Sequence, residues 1–139
     1  MQDRGFTLIE LILTIILLAI LGSLVAPRFY SSEGQLVQAR RDDVLAALFY
    51  AQQIAMARDS AANPIRVVTT SNSISVTENA APLRHADVQY PLVFAGGVTL
   101  APASTLNFDK LGRTTASVFT LSRSGVSATI TVSASGYAN

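Results

Sequence analysis

Glu10 is the residue whose type and position most suggest chemistry, because it is the one charged residue in the apolar segment from Phe6 to Ala26. A carboxylate near the centre of a membrane helix costs roughly 2.5–3.5 kcal/mol on insertion scales, so such an acid is a candidate functional residue. As a helix this segment would be roughly 32 Å long, enough to cross a bilayer. Glu10 therefore requires a cationic partner that the segment itself does not supply.

Few other side chains suggest catalysis or metal binding. His85 is the single histidine, Asp87 lies two residues away in a predicted loop, and the chain has no cysteine. No nucleophile motif or metal-ligand spacing occurs, and Gly96-Gly97 is an isolated turn pair rather than a phosphate-binding loop. The formal net charge of +1 gives no extended positive field for nucleic acid. We predict a protein that is not an enzyme, with no cofactor, no metal and no nucleic-acid partner.

The apolar segment has two ordinary explanations. A secretory signal peptide has an apolar core of roughly 7–15 residues and a small residue three positions before the cleavage site. This segment is longer, and cleavage after Ala26 would place Leu24 at that position and Pro27 directly after the cut. A plain membrane anchor accounts for the length and for the flanking arginines, yet it gives Glu10 no role.

The heptapeptide from Gly5 to Leu11 reads GFTLIEL, and it resembles the class III signal of type IV pilins and pseudopilins. In that family a membrane-embedded prepilin peptidase cuts after the glycine and methylates the new amino terminus. The resemblance implies that residues 1–5 are a leader and that cleavage falls between Gly5 and Phe6. It also implies that Phe6 becomes the N-methylated first residue.

Cleavage would create the cation that Glu10 lacks. In a fibre, the α-amine of Phe6 in one subunit can meet the Glu10 carboxylate of another. Removing one partner of a buried ion pair leaves an uncompensated charge, so such a pair selects the register of packing more than it adds stability. We therefore predict an assembly salt bridge between Phe6 and Glu10 of neighbouring subunits.

The sequence Ala26-Pro27-Arg28-Phe29 marks the predicted end of a membrane-spanning and assembly helix over residues 6–29. Pro27 lacks a backbone N–H and clashes with the preceding turn, so we predict a helix kink or local melting there. The alternative is that the proline only marks the end of the helix. Pilins commonly carry a proline at this distance from the mature N-terminus. The APRF sequence resembles pilins of the mannose-sensitive haemagglutinin (MSHA) system in particular.

A second helical pattern runs from about residue 35 to residue 61, where apolar residues recur at spacings of three and four. Asn63-Pro64 is expected to stop this helix, since the residue before a proline avoids the α region. The charged run from Arg40 to Asp43 lies mostly off the stripe, as a solvated face or as a contact with other subunits. The residues predicted to form the stripe are Val37, Val44, Leu45, Leu48, Ala51, Gln52, Ala55 and Met56.

From Ile65 onward the apolar pattern has a period of two, which indicates β-strands. Strands spaced about ten residues apart predict an antiparallel sheet over about residues 65–135, packed on the amphipathic helix in an α+β fold. The resemblance implies the type IV pilin fold, whose long N-terminal helix is half transmembrane and half amphipathic. Residues 65–70 and 74–77 predict a hairpin, 98–100, 106–108, 117–121 and 126–133 predict further strands, and 79–90 predict a surface loop.

Residues 107–113 read NFDKLGR, and the FDxxGR part resembles a turn in the C-terminal domain of the GspH and FimT class of pilin-like proteins. Asp109 and Gly112 are also what any tight turn favours. Some members of the FimT group take up DNA through a basic C-terminal region, but no basic residue follows Arg123 here. DNA uptake is therefore not carried over, and Arg113 and Arg123 are interpreted as surface charge.

Taken together, these resemblances imply a minor structural subunit of an MSHA-type pilus, with a periplasmic globular domain over residues 30–139. The expected partners are major and minor pilin subunits, prepilin peptidase and the inner-membrane assembly platform. The expected location is the bacterial inner membrane, as a single-pass protein, and then the pilus fibre at the cell surface. The alternatives are a minor pseudopilin of a type II secretion system and a fibre-displayed adhesin or DNA-uptake module.

Overall fold

The computed structural model describes residues 7–29, 32–58 and 62–139. The chain divides into two compact units, the first ending at Ser32 and the second running from Glu33 to Asn139. The described part of the first unit is an apolar helix. The second unit combines a helix with antiparallel β-sheets.

Helix α1 (Leu8–Phe29) is rich in leucine, isoleucine and alanine, and its side chains from Leu8 to Ser23 are exposed. The hydroxyls of Thr14 and Ser23 donate hydrogen bonds to the backbone carbonyl three residues earlier, each at 2.8 Å. These polar groups are therefore satisfied on the helix itself. Among the described residues, no helix combines the length and the hydropathy needed to cross a membrane.

Pro27 lies inside α1, which continues for two more residues to Phe29. Its ring nitrogen carries no hydrogen, so the backbone carbonyl one turn earlier receives no hydrogen bond from this position. The backbone nevertheless remains helical, and the local melting that we considered at Pro27 is not observed. The predicted kink stays a prediction.

Helix α2 (Ser32–Ala57) starts and ends earlier than the predicted range of 35–61, of which residues 59–61 lie outside the described part of the chain. Its buried face is rotated relative to the predicted stripe. Met56 is exposed and Leu45 and Gln52 are only half-buried, whereas Ala47 and Tyr50 are buried. The predicted residues that are fully buried are Val37, Val44, Leu48, Ala51 and Ala55.

Three residues of the charged run on α2 have partners within the chain, whereas Asp42 is largely exposed, as predicted for a solvated face. Arg40 Nη1 lies 2.8 Å from Asp43 Oδ2, one helical turn away. Arg41 Nε donates a hydrogen bond to the carbonyl oxygen of Thr129 at 3.2 Å. The aliphatic stems of both arginines are largely covered, so this run helps to attach α2 to the strands that follow it.

The described residues contain ten β-strands in two main sheets and one small one. The first sheet has the order β3-β2-β1-β8, with β6 also paired to β2; the second has the order β10-β9-β7; and β4 pairs with β5. The strands are β1 (Ile65–Thr69), β2 (Ser73–Glu78), β3 (Ala81–Pro82), β4 (Arg84–His85), β5 (Val88–Gln89), β6 (Leu92–Val93), β7 (Thr99–Ala101), β8 (Ser104–Phe108), β9 (Ser117–Arg123) and β10 (Val126–Val132).

The antiparallel hairpin of β1 and β2 confirms the prediction from the period of two. Ile65 lies opposite Glu78 and Thr69 lies opposite Ile74. On its other side β1 pairs with β8, where Arg66 lies opposite Asn107. Residues 65, 67 and 69 are buried and the two between them are only partly covered, so one face of β1 meets the core.

The second sheet is closed on one edge by the end of the chain. β9 and β10 form a hairpin, and beyond it Ala138 bridges back to Val132. Asn139 and Thr131 exchange backbone hydrogen bonds of 2.9 and 3.1 Å. Part of the outer edge of β10 is therefore paired, which protects it from pairing with another chain.

The segment from Asn79 to Tyr90 is more ordered than the predicted surface loop. It contains β3, β4 and β5, and its last residue, Tyr90, is buried. The apolar period of two did not predict these strands, because strands of two residues with exposed side chains have no apolar alternation. The segment is fixed by backbone bonds from Leu83 to Val76 and by the Tyr50 hydroxyl, which donates to the carbonyl of Arg84 at 2.9 Å.

One hydrophobic core joins α2 to both main sheets, which confirms the α+β class and its antiparallel sheets. Burying a large apolar side chain stabilises a fold by roughly 1.5–3 kcal/mol. The largest fully buried side chains on the strands are Phe119, Ile65, Ile74, Leu100, Leu106, Leu121 and Ile130.

Candidate assembly site

Glu10 lies in the first turn of α1, and its side chain is exposed. Its backbone N–H donates to the Thr7 carbonyl at 3.1 Å and to Thr7 Oγ1 at 3.4 Å, so Thr7 caps the helix. A threonine followed three residues later by a glutamate has the spacing of a capping box. An acid in the first turn also interacts favourably with the unpaired N–H groups there, by about 0.3–1 kcal/mol at exposed sites. This second role of Glu10 was not among the predictions from the sequence.

The carboxylate of Glu10 is surrounded by an exposed apolar surface. Large contiguous apolar surfaces mark sites where a protein meets a partner or a lipid phase. Each of the following α1 side chains is at least 43% exposed: Leu8, Ile9, Leu11, Ile12, Leu13, Ile15, Ile16, Leu17, Leu18, Ile20 and Leu21. This helix therefore presents an unpartnered apolar surface with one acid near its N-terminal end.

Of the other predicted assembly residues, the structure describes Pro27 but not Gly5 or Phe6. Gly5 and Phe6, the predicted cleavage and methylation positions, lie outside the described residues. Pro27 lies within α1, two residues before its end. The salt bridge between Phe6 and Glu10 joins two subunits, and it stays a prediction.

The turn after β8 is organised by Asp109. Its Oδ1 accepts hydrogen bonds from the backbone N–H groups of Leu111 and Arg113, both at 2.9 Å, and its Oδ2 accepts one from Arg113 Nε at 3.0 Å. These bonds, above all the one from the Arg113 backbone, lower the pKa of the Asp109 carboxyl. Gly112 has a φ of +72°, as the tight turn requires. The predicted roles of Asp109 and Gly112 in a tight turn are therefore confirmed.

Gln52 connects this turn to the C-terminal segment. Its side-chain amide donates to the carbonyl of Gly112 at 3.2 Å and to the carbonyl of Ser135 at 3.1 Å. Gln52 was predicted as part of an apolar stripe, whereas it uses its polar end to satisfy two backbone carbonyls from distant parts of the chain.

Arg113 and Arg123 each pair with their own acid. Arg113 Nε lies 3.0 Å from Asp109 Oδ2, and Arg123 Nε lies 2.6 Å from Glu33 Oε2 at the start of α2. With these partners the two arginines do not constitute a basic stripe for nucleic acid.

The single histidine is not arranged for catalysis. His85 is exposed in β4, and its ring lies against Tyr50 with a centroid separation of 4.2 Å. In the described part of the chain, His85 and Asp87 form no ion pair. The described part of the chain also contains no group of three or more acidic or histidine side chains that could hold a metal ion.

Comparison with known families bears on the segment that includes Glu10. A model of the prokaryotic N-terminal methylation motif matches residues 1–26, which include the GFTLIEL sequence. The match supports a type IV pilin-like protein. Neither the curated proteins nor the solved structures gave a significant match to this chain.

The motif bears on the processing and assembly of a protein that carries it. A prepilin-type signal implies processing by prepilin peptidase and assembly with other pilin subunits. It also suggests a membrane-anchored subunit that later enters a surface fibre. Pilin-type proteins that carry this motif are structural subunits.

Proposed function

We propose that this protein is a minor structural subunit of an MSHA-type type IV pilus. Prepilin peptidase cleaves it between Gly5 and Phe6, and residues 6–29 anchor it in the bacterial inner membrane until an assembly platform incorporates it into the fibre. The position of Glu10 carries the proposal, because an acid in the first turn of an exposed apolar helix has a use where neighbouring subunits bring cationic amines to it.

Several observations support the anchoring and assembly role of α1. The helix exposes apolar side chains along its described length, which water solvates poorly. The globular unit has a core of its own, whose buried residues all lie between Val37 and Ala138. A subunit of this design can exchange lipid for neighbouring helices without unfolding its domain.

Mass spectrometry of the membrane-extracted protein tests the processing step. In cells with active prepilin peptidase, the chain should begin at N-methylated Phe6; in cells without the peptidase it should begin at the unprocessed terminus. Gly5→Leu should block cleavage, since a bulky residue prevents close approach of the backbone to a catalytic site. Gly22→Leu is the matched control, because nothing lies within 4 Å of the added Cβ position. An uncleaved wild-type chain beside active peptidase would refute the proposal.

Isolation of the cellular fibre that contains this chain tests which type of fibre it belongs to. Sheared MSHA-type pili should contain it at a low ratio to the major subunit. The alternative is a minor pseudopilin of a type II secretion system, against which the APRF sequence is the best evidence. If deletion of the chain abolishes secretion while pili remain intact, the pseudopilin function replaces the pilus function. A ligand screen on the intact fibre addresses the adhesin alternative.

A further inference from the structure

A cleft of about 550 Å³ opens beside the Asp109 turn. One wall is the outer face of the first sheet, where Arg66 of β1 lies opposite Asn107 of β8. The other wall is the turn itself, from Asp109 to Arg113. We call this feature the Arg66 cleft.

The Arg66 cleft has an excess of positive charge. Arg66, Lys110 and Arg113 line it, and Asp109 is its one acid. Both oxygens of that carboxylate already accept hydrogen bonds from the turn, and its lowered pKa keeps it ionised at neutral pH. Asp109 therefore offsets Arg113, and no other described acid lines the cleft to offset Arg66 and Lys110.

The free cations of the globular unit are concentrated in this cleft. Ion pairs to described acids involve Arg40, Arg41, Arg58, Arg113 and Arg123. Among the described residues of this unit, the cations without such a pair are Arg66, Arg84 and Lys110, and two of these three line the cleft. Arg66 Nε is also shielded from solvent and has no hydrogen-bond partner in the described chain. A buried donor without a partner is unfavourable, so a bound acceptor would be stabilising here.

The lining also favours one kind of anion. Pro64 and Leu111 give the cleft an apolar part, and Leu111 is 59% exposed. A guanidinium group matches the two oxygens of a carboxylate, while the apolar part suits a neighbouring aliphatic group. A nucleic-acid backbone would need a longer basic track than this chain, with its net charge of +1, provides.

We propose that the Arg66 cleft binds a carboxylate of a peptide segment that carries an apolar side chain next to it. Arg66 and Lys110 bind the carboxylate, Arg113 is held in place by Asp109, and Leu111 contacts the apolar group. The ligand is therefore an acidic polypeptide segment rather than a small inorganic anion.

Titration of the full chain in detergent micelles, followed by the amide NMR signals of residues 66 and 107–113, tests this binding. The probes are acetyl-Ala-Glu-Leu-amide, the neutral acetyl-Ala-Gln-Leu-amide, and acetyl-Ala-Ala-Leu with a free C-terminal carboxylate. The glutamate peptide should shift these signals saturably, and added salt should weaken its binding. The glutamine peptide should not shift them. Binding of the third probe would assign the site to chain termini as well as to acidic side chains.

Variants identify the groups responsible. Arg66→Gln and Lys110→Gln should each weaken binding of the glutamate peptide, by roughly tenfold for Arg66→Gln. Arg84→Gln is the matched control, because Arg84 is a cation without an ion pair outside the cleft, and it should bind as the wild type does. Circular dichroism checks folding, and the exposed Lys110 provides a second test if Arg66→Gln does not fold.

Three results would overturn the proposal. One is equal binding of the glutamate and glutamine peptides, and another is no shift at these signals up to the solubility limit of the acidic peptides. The third is preferential binding of a thymidine oligonucleotide at the same signals, which would assign the cleft to phosphodiesters. None of these results bears on cleavage after Gly5, so the proposed function is tested separately.

Discussion

The α-carbon of Gly136 faces the carbonyl oxygen of Gly112 so closely that no side-chain carbon fits between them. Gly136 also has a φ of +84°, in the region that favours glycine. This contact joins the Asp109 turn to the segment after β10, and Gln52 donates hydrogen bonds to both parts. A residue on α2 and two glycines therefore fix one corner of the globular unit.

Gly136→Ala should destabilise the protein strongly, since it combines a left-handed backbone with a clash against backbone atoms. Gly125→Ala is the matched control, because Gly125 has a φ of +83° and nothing lies within 4 Å of its Cβ position. The free energy of unfolding of the control should fall only by the conformational strain of alanine at positive φ, about 1–2 kcal/mol. Unfolding in urea, followed by circular dichroism, measures both. Equal losses for the two variants would show that the contact between Gly136 and Gly112 is not tight.

Asp109 should make stability depend on pH. Its pKa is lower in the folded state than the ordinary value of 3.8, so its ionised form stabilises the fold. This contribution is complete above the unfolded-state pKa and is lost as the pH falls through the lower folded-state pKa. In Asp109→Asn the free energy of unfolding should therefore be below that of the wild type at pH 7, and the difference should vanish in strong acid.

Asp109→Ala separates the charge from the hydrogen bonds. Asparagine keeps one oxygen that can accept from Leu111 and Arg113, whereas alanine keeps none. The alanine variant should thus remain less stable than the wild type even in strong acid. A difference between the wild type and Asp109→Asn that stays constant from pH 7 to strong acid would contradict the role given to ionisation.

Sequence patterns predicted the elements whose side chains alternate cleanly. The hairpin of β1 and β2 is visible because one face of each strand is buried and the other is polar. β3 to β6 have only two residues each and no alternation to detect. On α2 the pattern gave the residues near the centre of the buried face but misplaced its margins. Met56 was included and Tyr50 was left out, because hydrophobicity alone does not say that a tyrosine hydroxyl reaches a carbonyl at the edge of the core.

In the candidate sites, too, local features were predictable from the sequence and long-range ones were not. Asp109 and Gly112 were predictable as turn residues, since local backbone chemistry decides them. The Arg66 cleft was not, because Arg66 comes from a strand far from the turn in sequence, and only the pairing of β1 with β8 brings them together. The cap that Thr7 provides for the N–H of Glu10 is local, and the spacing of the two residues predicts it.

The globular unit should fold without α1. A chain that begins at residue 30 should be soluble, folded and mainly monomeric, because the buried residues of the core all lie between Val37 and Ala138. Gel filtration with light scattering and cooperative thermal unfolding check this expectation. Adding Phe119→Ala should lower the free energy of unfolding by about 3–5 kcal/mol, since that ring is fully buried. An insoluble or molten product in the absence of lipid would contradict the independence of this core.

Glu10→Leu should separate assembly from processing. An apolar side chain makes membrane insertion more favourable, and the scissile bond is several residues away, so the membrane should retain normal amounts of cleaved subunit. Sheared fibres should contain much less of the variant than of the wild type, as measured by quantitative mass spectrometry.

Asp87→Asn is the control for Glu10→Leu, because it changes an exposed acid of the globular unit. This control variant should enter fibres normally. Normal incorporation of Glu10→Leu would exclude a pairing role for this carboxylate and would favour a position at the fibre tip, where no neighbour requires it.

The bridge between Ala138 and Val132 also has a bearing on the order of synthesis. Both side chains belong to the core, and both come long after α2 in the sequence. The buried face of α2 is made early and remains without its full cover until these residues arrive. Until then the earlier part of the domain exposes apolar surface that the native fold buries, and such surface promotes aggregation.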